Sequence, residues 1–67
     1  MASTGYRVGE PNTGDTVDAC RSKKALKDIG GGTSHLDAYE VTGDLIEDTG
    51  GKDGLRIKVK SYRKIRI

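Results

Sequence analysis

Leu55-Arg56-Ile57-Lys58-Val59-Lys60-Ser61-Tyr62-Arg63-Lys64-Ile65-Arg66-Ile67 is the stretch that organises the rest of the chain. Odd positions carry Leu55, Ile57, Val59, Ser61, Arg63, Ile65 and Ile67, while even positions carry Arg56, Lys58, Lys60, Tyr62, Lys64 and Arg66. Side chains of an extended strand alternate between its two faces. A period of two therefore predicts a long strand with an aliphatic face and a basic face broken by one tyrosine.

Upstream, the turn-rich Thr49-Gly50-Gly51-Lys52-Asp53-Gly54 separates this run from Leu36–Asp48. That run alternates as well, with Tyr39, Val41 and Leu45 on one side and Glu40, Thr42 and Asp44 on the other. Gly43 interrupts it and marks a bulge or a bend. The two runs form a hairpin. Placing Glu47 opposite Leu55 sets Asp44 against Lys58, Thr42 against Lys60 and Glu40 against Tyr62.

Residues 16–29 admit two readings. In the preferred one, Asp15 or Thr16 caps a helix that ends at Gly30, with Ala19, Ser22, Ala25, Leu26 and Ile29 on one face. Val17 and Cys20 then point elsewhere. The other reading extends Val17-Asp18-Ala19-Cys20 and lets Ser22 cap a shorter helix over 23–29. Nearer the N-terminus, Tyr6-Arg7-Val8 suits an edge strand between Gly5 and Gly9, and Glu10–Gly14 reads as a turn. The expected fold is α+β in the order β-α-β-β, one helix packed on a three-stranded, mostly antiparallel sheet. Its C-terminal strand is central, between 36–48 and Tyr6–Val8, and residues 1–4 are expected to be flexible.

With 67 residues, 33% apolar and 33% charged, the chain fits one small domain. No apolar run approaches the roughly 20 residues of a membrane span. Met1–Gly5 has no basic start and no apolar stretch after it, so no secretory leader is expected. Phe and Trp are absent, and Cys20 is the single cysteine. A core this thin, with no disulfide, calls for a partner or a second copy to complete it. One cysteine without a disulfide framework points to a cytoplasmic setting.

Charge is unevenly placed. Residues 54–67 hold six bases and no acid, giving +6, whereas residues 1–53 hold six bases and all ten acids, giving −4. Such asymmetry bears on partners rather than on fold. Arg56, Lys58, Lys60, Lys64 and Arg66 recur at roughly 6.6 Å along a strand, near the phosphate repeat of a single nucleic-acid strand, and Tyr62 lies where a base would stack. With Arg63, these residues are the candidate site for nucleic acid or an acidic protein surface. Cross-strand acids weaken that reading, and a solvated lysine-rich edge has the same sequence.

Other motifs lead to weaker chemistry. Gly30-Gly31-Gly32-Thr33-Ser34-His35 has the composition of a phosphate loop but follows a helix C-terminus, the wrong pole for an anion. Asp48-Thr49-Gly50 matches the aspartic-protease triplet, yet that reaction requires a second carboxylate and a larger apolar β-structure. Cys20 and His35 are too few for a structural zinc site, and a nucleophilic pair would require the fold to bring them together. Asp44, Glu47, Asp48 and Asp53 lack the spacing of a calcium loop. The expectation is a non-enzymatic binding module without metal or cofactor, most directly a nucleic-acid binder. The alternative is a small protein-binding accessory or inhibitor of the phage or mobile-element type, acting through the basic strand or a sheet edge. A self-assembling structural subunit that buries Ile65 and Ile67 between copies is the third reading.

Overall fold

The computed structural model of the chain describes residues 2–28, 37–51 and 54–65. Four strands and one short helix follow in the order β1 (Ala2–Val8), β2 (Thr16–Ala19), α1 (Lys23–Asp28), β3 (Ala38–Asp48) and β4 (Leu55–Ile65). The strands form a single antiparallel sheet in the order β1-β3-β4-β2. The sheet curls until its two outer strands meet at one bridge. There the Tyr6 amide donates to the Cys20 carbonyl at 2.9 Å and the Cys20 amide donates to the Tyr6 carbonyl at 2.7 Å. The result is a curled half-barrel.

This overturns the expected β-α-β-β arrangement of one helix over three strands. The segment 16–29 resolves in favour of the extended reading. Val17 pairs with Ile57 and Ala19 with Leu55, so β2 is the second neighbour of β4. β1 pairs with β3 instead, and it starts at Ala2 rather than at Tyr6. A long helix would have directed Val17 and Cys20 away from its apolar face. In the strand, Ala19 is buried and Val17 packs against the same cluster, while the Cys20 backbone forms the closing bridge. Tertiary pairing outweighs a local helical preference of a few tenths of a kcal/mol per residue. The helix that remains begins after Ser22, whose Oγ accepts the Ala25 amide hydrogen at 3.1 Å. Ile29–Leu36, including the expected helix stop and the Gly30–His35 run, lie outside the described residues.

Two apolar clusters occupy the two faces of the sheet. Ala19, Val41, Leu55, Ile57 and Val59 fill the concave face, with Val17 against them. Cys20, Ala25, Leu26, Ala38 and Ile65 form the second cluster under α1, joined by Tyr6 and Val8. A Cβ added at Gly5 would lie 2.6 Å from the Ala19 Cβ and 3.0 Å from the Ile57 Cδ1, so the absence of a side chain there lets β1 approach β2.

The β3–β4 register shifts twice. Thr42 faces Ser61 but Gly43 faces Val59, which leaves Lys60 as an extra residue of β4. Leu45 faces Ile57 but Glu47 faces Arg56, which leaves Ile46 as an extra residue of β3. Of the expected pairs, Asp44 with Lys58 holds, while Glu40 meets Arg63, Thr42 meets Ser61 and Leu55 meets Asp48. Gly43 does mark a bulge, and a Cβ there would sit 1.8 Å from the Lys58 carbonyl oxygen. An extra residue inverts the facing of everything beyond it. Ile65 therefore shares parity with Val59 yet joins the cluster on the opposite face.

Candidate functional site: the β4 strand and the open end of β3

The bulge at Lys60 divides the basic row. Arg56 and Lys58 alternate with the buried Leu55, Ile57 and Val59 and so stand on the convex face. Tyr62 pairs with Val41 and Lys64 with Tyr39, which places both on the concave side at the rim. Arg63, opposite Glu40, returns to the convex side. Arg66 lies outside the described residues. An unbroken two-residue repeat of bases along one face is therefore not formed.

Carboxylates meet most of these bases. Arg56 Nε lies 3.2 Å from an Asp18 oxygen and its Nη1 lies 3.7 Å from Glu47. Lys60 Nζ lies 3.3 Å from Asp44, Arg63 Nε 2.9 Å from Glu40 and Lys64 Nζ 3.1 Å from Asp37. The last partner is Asp37, just before β3. Lys58 forms no ion pair among the described residues. Hydrogen bonding from the Arg63 guanidinium holds the Glu40 carboxyl below its ordinary value. The same contact, seen from the other side, raises Arg63. Tyr6 is raised by burial and then by Glu40 beside it.

Tyr62 is also occupied. Its hydroxyl donates to a Glu10 carboxylate oxygen at 3.2 Å, and that bond raises its pKa. Its ring meets Tyr39 edge-on, with centroids 6.0 Å apart and planes at 67°. The ring is 37% exposed, so one flank remains open to solvent.

Comparison with protein-family models, curated proteins and solved structures found no match for the chain.

A second feature lies at the other end of the hairpin. β1 reaches only Asp44 on β3, whereas β3 continues to Asp48. Over Leu45–Asp48 the outer edge of β3 meets no strand among the described residues. Leu45 and Ile46 fall in this segment and are 43% and 56% exposed. The sequence carried a sign of this. Two adjacent aliphatics cannot both face the core of a regular strand, and the bulge at Ile46 is where the alternation fails. Nearby, Arg21 forms an ion pair with Asp48 and its Nε donates to the Gly51 carbonyl at 3.1 Å, which fastens the turn without covering the β3 edge.

Asp48-Thr49-Gly50 forms a tight turn. The Asp48 carboxylate accepts the Gly50 amide at 2.9 Å and pairs with Arg21. Among the described residues no group of three His, Cys, Asp or Glu side chains converges as a metal site. Among the same residues no helix is long and apolar enough to cross a membrane.

Proposed function

We propose that this protein is a non-enzymatic protein-binding module that takes an extended segment of a partner onto the uncovered end of β3. The observation that carries this reading is the coincidence of an unpaired strand edge with the exposed Leu45 and Ile46. Strand addition draws affinity from main-chain hydrogen bonds and specificity from alternate side chains. Exposed aliphatic residues on a free edge are otherwise a liability that sheets avoid with charge or a covering segment. A cytoplasmic setting belongs to the same proposal, supported by a single cysteine without a disulfide framework.

Nucleic-acid binding through β4 is the second reading, favoured by Lys58, which has no ion pair among the described residues. Against it, Arg56, Lys60, Arg63 and Lys64 already face carboxylates, so phosphates would have to displace those partners. Exposed pairs are worth only ~0–1 kcal/mol each, which makes such an exchange a matter for measurement.

Two titrations separate the readings. Peptides selected by display against the chain should bind it, and Leu45→Asp with Ile46→Asp should weaken them at least tenfold while thermal melting stays cooperative. Labelled DNA and RNA, single- and double-stranded, are titrated in parallel at about 50 mM and 200 mM salt. Failure to select any peptide sensitive to the double substitution removes the proposal. Tight nucleic-acid binding with a steep salt slope, lost in Lys58→Glu, would install the second reading in its place.

A further inference from the structure

The half-barrel has a seam. β1 and β2 touch at Tyr6 and Cys20, and beyond that bridge toward Val8 and Asp18 they separate around a cavity of about 240 Å³. Tyr6, Val8, Ala19, Cys20 and Leu26 give it apolar walls, and Arg7 and Asp18 complete the lining. The site lies at the Val8 end of β1, away from the Ala2 end that stops beside Leu45.

Backbone direction gives the cavity its second property. In an antiparallel ladder, alternate residues send both main-chain groups to the same neighbour. Gly9 donates to Asp37 on the β3 side, while Tyr6 sends its N–H and C=O to Cys20 on the β2 side. Val8, two residues from Tyr6, therefore presents its main-chain groups to the seam. By the same alternation Asp18, two residues from Cys20, presents its own from β2. The two strands make no backbone hydrogen bond to each other there among the described residues.

Charge supplies the third. The Arg7 guanidinium borders the cavity and makes no ion pair among the described residues; its Nε donates to the Val8 carbonyl at 3.4 Å. The one carboxylate in the lining, Asp18, is held by Arg56 at 3.2 Å.

From these three observations we infer that the seam between β1 and β2 captures the C-terminal residue of an extended partner peptide. The apolar side chain of that residue enters among Val8, Ala19 and Leu26. Its terminal carboxylate meets Arg7, and its peptide groups pair with the main chain of Val8 and Asp18. Capture of a chain terminus by backbone groups and strand edges is an established mode of peptide recognition, and a carboxylate beside a guanidinium gains charge-assisted hydrogen bonds. This site is separate from the β3 edge, and neither reading requires the other.

The test compares two labelled hexapeptides ending in leucyl-valine, one with a free carboxylate and one amidated, each titrated into the intact chain by fluorescence anisotropy and by amide NMR. The free acid should bind at least tenfold more tightly than the amide, with the largest amide shifts at Tyr6, Val8, Asp18 and Cys20. Arg7→Gln should remove that preference while its melting curve stays cooperative. Equal binding of acid and amide overturns the inference, as does a dissociation constant weaker than about 1 mM for both. Shifts confined to Leu45–Asp48 also overturn it, since they would place the peptide on the β3 edge. The acid–amide comparison needs no substitution, so it decides the matter even if Arg7→Gln unfolds.

Discussion

At the scale of single residues, two positions carry more of the architecture than their size suggests. Gly5 lets β1 pass so close to β2 that an added Cβ would lie 2.6 Å from the Ala19 Cβ. Gly5→Ala should therefore destabilise the protein by about 1–3 kcal/mol, read as a lower urea midpoint. Adding Ala19→Gly should recover part of that loss, and a strictly additive double mutant would show that the two sites do not meet. Glu40 is the second. Arg63 holds its carboxyl below the ordinary value of 4.5, so the folded state binds that proton less readily than the unfolded chain. The contribution is complete above that pH and disappears as pH falls through the lowered value. Glu40→Gln should flatten the acid limb of a melting-temperature profile between about pH 5 and pH 3, and an unchanged limb would remove Glu40 as its source. The sequence showed that Gly43 interrupts an alternating strand. It gave no comparable sign for Gly5, because that close approach to Ala19 of β2 and Ile57 of β4 is set by the curl of the sheet and not by the residues beside Gly5.

At the scale of elements, the hairpin of β3 and β4 was legible from its period of two, and the helix–strand choice over 16–29 was not. Val17, Ala19 and Cys20 satisfy a strand, while Ala19, Ala25 and Leu26 also satisfy a helical stripe. The partner strand decides between them, and Leu55–Ile57 lies nearly forty residues away in sequence. What survives of the helix is six residues long, near the minimum that packing rather than propensity must hold. Its capping bond should matter accordingly. Ser22→Ala should cost about 1 kcal/mol, measured by denaturation, and Ser22→Asp should restore it. The bulge at Lys60 escaped the sequence reading for a different reason. Bases at 56, 58, 60, 64 and 66, with Tyr62 among them, keep an even-numbered repeat across the inserted residue, and only Ser61 and Arg63 on the other parity interrupt the aliphatic face there. Sequence alone therefore presents one row, and the fold divides it between two surfaces.

For the molecule as a whole, stability is unevenly distributed. β3 and β4 lie inside the sheet and contribute Val41, Ile57 and Val59, all essentially sealed from solvent, whereas β1 and β2 hold each other by one bridge. Hydrogen exchange should be slowest at Val41, Ile57 and Val59, and the Cys20 amide should open well before them. Equal protection at all four would mean that the seam opens only with global unfolding. The direction of β1 also has a practical side. It runs antiparallel to β3 and begins opposite Asp44, so any sequence fused ahead of it is launched along Leu45–Asp48. A purification handle placed there would compete for that edge with whatever the edge receives. Handles belong after β4, and a difference in behaviour between the two fusions would itself report whether the strip beside Leu45 is in use.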